Sequence, residues 1–442
     1  MSERNRVRLR LVFEDGTEFS TWDDASIREN YTDPLGDYSF TVTPPRARIP
    51  EYDDALAKGS IIKFYLDTAL QATVIITTKR TTIGEQGVTF QIQCKTLLCT
   101  PYEGNVNPDS VKVYTADTTV SEVIAEVMLV YGFSEPLRIE GAHDVSLKTG
   151  KPVATWNSAP TWQVSELKHK EAQPQPGETV YGYCSRICSR VGAILHINAD
   201  GVLVLSRPIY NQPASYSLIG GAVAEGSDMM LNGITITDTN DDQFAEVVLL
   251  GEAPDVRGQK RTNRPSRLVC TPELEIIEVE DEEDEEDDPP PVAVIPMKRK
   301  SYRAWLSDHP DSADVPFRDT PGWLFHQTRA RYRGFGQAGY KPKIIVDKRT
   351  RDQDTAWRMA VLAMSSRASN AYQIRCSVDG AKAASGAIWA VNTMASVSIP
   401  VLNINEDMWV LEKQLSVSRN NAQVTNLTLI PKNALLLDAA FA

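Results

Sequence analysis

Between Arg4 and Lys95 apolar and polar residues alternate with a period of two, the spacing that places successive side chains on opposite faces of a strand. Val7, Leu9, Leu11 and Phe13 fall on one face and Arg6, Arg8 and Arg10 on the other, and Glu14-Asp15-Gly16 supplies a tight turn into Thr17 to Trp22. The same pattern predicts strands over Asp37 to Thr43, Ser60 to Asp67, Gln71 to Arg80 and Val88 to Lys95, separated by turns at Pro44-Pro45, Lys58-Gly59 and Gly84 to Gly87. Six or so short strands with this spacing predict a small barrel rather than a sheet with helical crossovers.

The period then changes. Val120, Val123, Ile124, Val127 and Met128 recur at helical spacing behind Thr118 or Thr119 as cap, and the helix stops near Gly132. After a proline-containing connector, Ala172 to Gly177, a second helix covers Thr179 to Arg190 and ends at Gly192. Two strands follow, Ala193 to Asn198 and Val202 to Arg207, joined by Ala199-Asp200-Gly201. A comparable unit, a helix over Asp354 to Ser366 and a strand over Ala371 to Val378 ending in Asp379-Gly380, points to internal pseudo-duplication. Strand patterns at Gly233 to Thr237, Ala245 to Leu250, Ala395 to Pro400, Met408 to Ser418 and Gln423 to Ile430 complete a second barrel around inserted material. The expected fold class is α+β and β-dominated: two similar small antiparallel β-barrels with helix-strand-strand inserts. The expected segments are 1–100 for the first barrel, 101–210 for the helical and helix-strand-strand domain, 211–270 with 381–442 for the second barrel, 271–297 for an acidic loop, and 298–380 for a second helix-strand insert.

At 442 residues, 42% of them hydrophobic and 24% charged, the chain is long enough for several soluble cores. No run reaches the roughly 18 apolar residues of a membrane span, so no membrane insertion is expected. The opening Met-Ser-Glu-Arg-Asn-Arg lacks the apolar segment of a secretory signal, which makes the cytoplasm the expected first residence. Glu278 to Asp288 holds ten acidic residues, nearly all of the net charge of −12, and leaves the rest close to neutral. That balance argues against a general or sequence-specific nucleic-acid binder. The flanking stretch Glu273 to Pro291 is too charged to fold alone and reads as a disordered or loosely held loop, either a solvated linker or one docked on a basic surface of a neighbouring subunit. The Arg4, Arg6, Arg8, Arg10 row lacks interleaved aromatics and reads as an exposed strand face or an ion-pairing contact.

The residues do not assemble a recognisable catalytic, cofactor or metal site, so no catalytic, cofactor-binding or metal residue is assigned and no cofactor is expected. Cysteines 94, 99, 184, 188, 270 and 376 match neither zinc-ribbon nor CxxC spacing and read as buried free thiols. Histidines 143, 169, 196, 309 and 326 form no metal-ligand motif, and His196, between Leu195 and Ile197 on an expected strand, reads as a structural histidine. No nucleophile elbow, phosphate loop or dinucleotide fingerprint is present. A pair of carboxylates assembled in space for glycoside hydrolysis leaves no spacing signal, so a cell-wall (peptidoglycan) hydrolase stays open as the enzymatic alternative. Arg331 to Lys341, with three aromatics among three glycines, reads as an adaptable loop.

Two regions taken together resemble the baseplate hub family of contractile-tailed phages, the group that includes the hub of bacteriophage Mu. The first runs from Asp37-Tyr38-Ser39-Phe40-Thr41-Val42 through Lys58-Gly59-Ser60-Ile61-Ile62-Lys63 and Val74-Ile75-Ile76-Thr77-Thr78 to the strand Val88 to Leu98. The second covers Thr355 to Leu435: an Ala-rich helix with Arg358 and Arg367, the core Gly386-Ala387-Ile388-Trp389-Ala390-Val391-Asn392, then Met408 to Leu415 and Thr425 to Pro431. The resemblance implies two tube-type barrels per protomer and a homotrimer presenting six near-equivalent units around a channel for DNA passage. It implies as partners a threefold central spike, a sixfold tail tube or tube-initiator protein and other baseplate proteins, in a virion assembled in the host cytoplasm. The hub of a tailocin or related contractile injection system fits the same pattern. In this family pattern Trp389 is expected to be mostly buried.

Overall fold

The computed structural model of the chain describes residues 7–19, 22–85, 87–107, 120–140, 174–175, 177–190, 193–210, 212–221, 226–239, 246–251, 266–270, 276–277, 329–333, 342–347, 370–418 and 423–432, with 363 and 434. The predicted cap at Thr118 or Thr119, the helix over 354–366 apart from Ala363, and the acidic run 278–288 lie outside the described residues.

The first strand unit contains β1 (Leu9–Phe13), β2 (Glu18–Phe19), β3 (Asp24–Asn30), β4 (Asp33–Val42), helix α1 (Ile49–Ala55), β5 (Ile61–Leu66), β6 (Ala69–Gly84) and β7 (Gly87–Thr96). The order across it is β3-β4-β7-β6-β5-β1-β2, antiparallel throughout. Leu9, Leu11 and Phe13 point into one core with Phe64, Val74 and Phe90, as the period-two pattern requires. The β1–β2 turn works by backbone freedom: Gly16 sits at φ 84°, where a side chain is disfavoured, and Asp15 accepts the Thr17 amide at 2.8 Å.

A helical module follows: α2 (Cys99–Glu103), α3 (Val120–Leu129), β8 (Arg138–Glu140), α4 (Val180–Arg190), β9 (Ile194–Ile197) and β10 (Leu203–Ser206). Val120, Val123, Ile124 and Met128 are buried on one face of α3, the predicted stripe, against Cys184, Ile187 and Cys188 of α4. The predicted β9–β10 turn is present; Gly201 takes φ 89° and Asn198 holds it through the Val202 amide.

The second strand unit uses β11 (Tyr216–Gly220) and β12 (Asp228–Asp238). A separate five-stranded sheet then intervenes: β13 (Glu246–Gly251), β14 (Ser266–Cys270), β15 (Ile276–Ile277), β16 (Arg329–Arg333) and β17 (Pro342–Asp347). The chain returns with β18 (Tyr372–Asp379), β19 (Met394–Ile399), β20 (Ile404–Ser418) and β21 (Val424–Pro431). Pairings β19-β11-β12-β18-β21-β20-β19 close a six-stranded ring, which is a barrel with no free edge.

The strand assignment differs from the sequence reading in three respects. The segment 245–250 is a strand, but it pairs in the five-stranded sheet instead of completing the ring. Tyr372–Asp379, expected in a second helix-strand unit, is the ring strand between β12 and β21. The ring is also not wholly antiparallel, since β11 runs parallel to both neighbours. Alternation of apolar residues defines a buried strand face and says nothing about which distant strand pairs with it.

One strand belongs to both units. The first half of β20 pairs with β19 through Trp409, and the second half pairs with β3 from Glu412 to Ser418. The partner changes at a bulge between Val410 and Glu412, where the Tyr31 amide donates to the Leu411 carbonyl at 3.0 Å. Leu415 and Val417 of this strand lie in the core of the first unit, whereas Met408 and Val410 lie in the core of the ring.

Candidate functional site

The joint between the two strand units is built on the segment 380–393. Ala381 is buried in the first core and Ala383 in the ring core, so the chain passes between them. Lys382 reaches Asp67, in the β5–β6 turn of the first unit, at 2.6 Å. That carboxylate also accepts the Arg8 amide, and these partners hold Asp67 below the ordinary aspartate range in spite of its burial. Gly386 at φ 84° makes a tight turn, with the Ala383 amide donating to Ala387 and the Gly386 amide to Ala383.

Trp389 is then delivered into the ring core with 1% exposure, its ring 4.4 Å from that of Tyr216. The Tyr216 hydroxyl donates to the Ile388 carbonyl and accepts from the Ala390 amide, both at 2.9 Å, which clamps the backbone on either side of the indole. Asn392 adopts a left-handed φ of 59°. Its side-chain oxygen accepts the Ile209 amide and the Trp409 indole, and its carbonyl accepts from Gln212. The three fixed residues of the G-x-x-W-x-x-N core thus have three tasks: a turn, a buried anchor and a polar tie to the chain leaving the helical module.

Two polar groups cross the joint. Lys413, 4% exposed on β20, is ion-paired with Glu29 of β3 at 3.1 Å and donates to the Trp389 carbonyl at 3.0 Å and to Gln71 of β6 at 3.3 Å. Nearby, Tyr31 and Ser206 are hydrogen-bonded at 2.8 Å, and Ser206 meets His196 Nε2 at 2.7 Å. A consistent proton order has Tyr31 donating to Ser206, and Ser206 donating to a neutral His196 whose Nδ1 faces the Ile197 carbonyl. A cleft of about 290 Å³ opens beside these residues, between Asp33 and Tyr38 of the first unit, Asn198 of the helical module and Val391 of the joint.

Burial holds His196 down to about 4, against an ordinary value near 6.5. Between these limits the unfolded chain binds a proton that the folded chain refuses, so the contribution is complete above about 6.5 and is lost as pH falls toward 4. The residue is half-buried, and the expected loss is discounted to roughly 2 kcal/mol. Denaturant unfolding at pH 7 and pH 5 checks it: His196→Gln should narrow the difference between the two pH values relative to the parent.

The remaining predicted residues are structural or lie elsewhere. Cys94, Cys99, Cys184, Cys188 and Cys376 are free and buried, and burial pushes the Cys184 and Cys376 thiols up to about 12, far from reactive thiolates. Of the arginine row, Arg10 pairs with Glu18 at 2.8 Å and lies over Tyr65, and Arg8 approaches the same carboxylate. Arg4 and Arg6, the side chain of Cys270, and His143, His169, His309 and His326 are outside the described residues, as is most of 331–341. Among the described residues no three His, Cys, Asp or Glu side chains group to hold a metal ion, and no helix is long and apolar enough to cross a membrane. Lys413, Tyr31 and Ser206 carried no signal in the sequence, since each has a partner across the joint more than 150 positions away.

No family model matches the sequence, and no curated protein matches it. The fold, however, is shared with solved structures. A tail protein from Neisseria meningitidis MC58 superposes with a TM-score of 0.65 at 14% identity, covering 98% of this chain and 99% of that one. The 43 kDa tail protein of prophage MuSo2 from Shewanella oneidensis superposes with a TM-score of 0.63 at 13% identity, covering 97% of this chain and all of that one.

Proposed function

We propose that this chain is a non-catalytic structural protein of a phage-type tail, and within the tail the baseplate hub. The observation that carries the reading is the fusion of two strand units through β20 and the 380–393 joint, in a fold shared end to end with two tail proteins. A hub needs paired units held at one fixed relation. Three protomers, each with two similar tube-type barrels, would present six near-equivalent units to a sixfold tube while keeping threefold symmetry for a central spike. The proposed barrel segments are 1–100 and, in the second half, the ring strands between 216 and 431. Symmetry matching is then the whole mechanism, with a channel for DNA along the threefold axis.

The proposed partners are two further copies of the chain, the spike, the tube or tube-initiator protein and other baseplate proteins, in the virion. The polar groups at the joint fit this role, because Lys413, Ser206 and Asn392 are all engaged in holding modules together.

Light scattering on the purified protein tests the assembly, with three chains per particle expected; a stable monomer at high concentration would count decisively against a hub. The absence of catalysis is tested separately on a cell-wall zymogram. No clearing is expected, and clearing that one carboxylate substitution abolishes would overturn it.

A further inference from the structure

The ring of the second unit is closed by strand ladders all the way round, but the first unit is not. Among the described residues no ladder joins β1 to the β20–β21 hairpin, although Val7 and Leu9 on one side and Leu415 and Val417 on the other share one core. A side chain stands in the gap. The Val7 amide donates to Gln423 Oε1 at 3.0 Å, and Gln423 Nε2 donates to the Val7 carbonyl at 2.6 Å, across 416 positions of sequence. These two bonds copy the pair exchanged by directly opposed residues in an antiparallel sheet. The amide orientation is fixed by the partners, because the flipped form would set donor against donor and acceptor against acceptor.

Gln423 is 9% exposed, and its own backbone carbonyl accepts the Gly380 amide at 2.8 Å, where the joint begins. Further along β1 the edge is covered by the Trp22 indole on the Leu9 carbonyl at 3.3 Å, then by the short β2 at Leu11 and Val12. A single carboxamide thus replaces the rung that a strand would have supplied.

We infer that Gln423 is a latch: its buried carboxamide closes the first unit into a barrel, and its release opens that unit along the β1 seam while the ring stays shut. The asymmetry follows from what holds each closure. Opening the ring breaks a ladder of several rungs, whereas opening the seam breaks, among the described residues, the two Gln423 bonds and the Trp22–Leu9 bond, and exposes a strip of core.

Amide exchange on the full-length protein tests this. In Gln423→Leu, which keeps the bulk and removes both bonds, protection over 7–13 and 415–425 should fall about tenfold or more, with 374–378 and 395–410 unchanged. In Gln423→Glu the ionised carboxylate cannot donate to the Val7 carbonyl, so protection at the seam should be low at pH 7 and recover on protonation near pH 4, relative to the parent at each pH. Unchanged protection in both variants, or an equal fall in seam and ring, would overturn the latch. A glutamate variant that is weakened equally at both pH values would mean that Gln423 acts by packing alone, and would overturn it too.

Discussion

Replacing Trp389 by alanine should lower stability by about 3–5 kcal/mol, the range for removing a fully buried aromatic and leaving its cavity. The indole is enclosed by the ring core and stacked against Tyr216, whose hydroxyl ties down both flanking peptide groups. Collapse around the void is therefore restrained, and the upper half of the range is expected. The indole Nε1 has no hydrogen-bond partner, so no polar contact is lost to add to the cost, and Trp389→Phe should recover most of it. Unfolding and light scattering on the same sample separate two outcomes. If Trp389 acts only at a subunit contact, the variant will melt like the parent and fail to assemble. A variant that both melts and assembles like the parent would remove the anchor from the joint.

Lys413→Met should cost about 3–5 kcal/mol for a different reason. The substitution keeps the hydrophobic stem and deletes the charge, leaving Glu29 with a side chain only 20% exposed and no cation, and the Trp389 carbonyl without its donor. Glu29 Oε1 is already without a partner, which makes the site poorly able to absorb a further loss. Lys413→Met combined with Glu29→Gln should be more stable than Lys413→Met alone, because the stranded charge is gone. Urea titration of the parent, both singles and the double completes the cycle; additive effects would mean that the two side chains do not interact.

Much of the first unit was legible because its strands carry the period-two signal themselves: β1, β4, β5, β6 and β7 all fall on predicted segments. The strand β3, Asp24–Asn30, was not, since only Ala25 and Ile27 of its seven residues are apolar and buried. It is a strand because β20 and β4 lie on either side of it, and β20 is 380 positions later. The helix α1 has no helical signal of its own, because Pro50 and adjacent Asp53-Asp54 leave its seven residues without an apolar stripe, although Tyr52 is buried and anchors it. At the joint, the residue types of Gly386, Trp389 and Asn392 stood out, but their tasks depend on Ile209, Tyr216 and Trp409, which local spacing cannot locate. The Gln423 contact had no signal, because a carboxamide at the start of a strand ordinarily faces water.

The shared strand also sets a timetable for synthesis. The first hundred residues supply nearly all the strands of the first unit, yet its core is incomplete until Leu415 and Val417 have been made. At ordinary translation rates that interval is roughly 15–60 s, during which β3 carries an unpaired edge. A nascent or truncated chain should therefore be a client for chaperones and proteases until β20 is made. Placing the closing strand far downstream of the strands it completes makes its synthesis a condition for a finished core, a form of quality control that needs no separate factor.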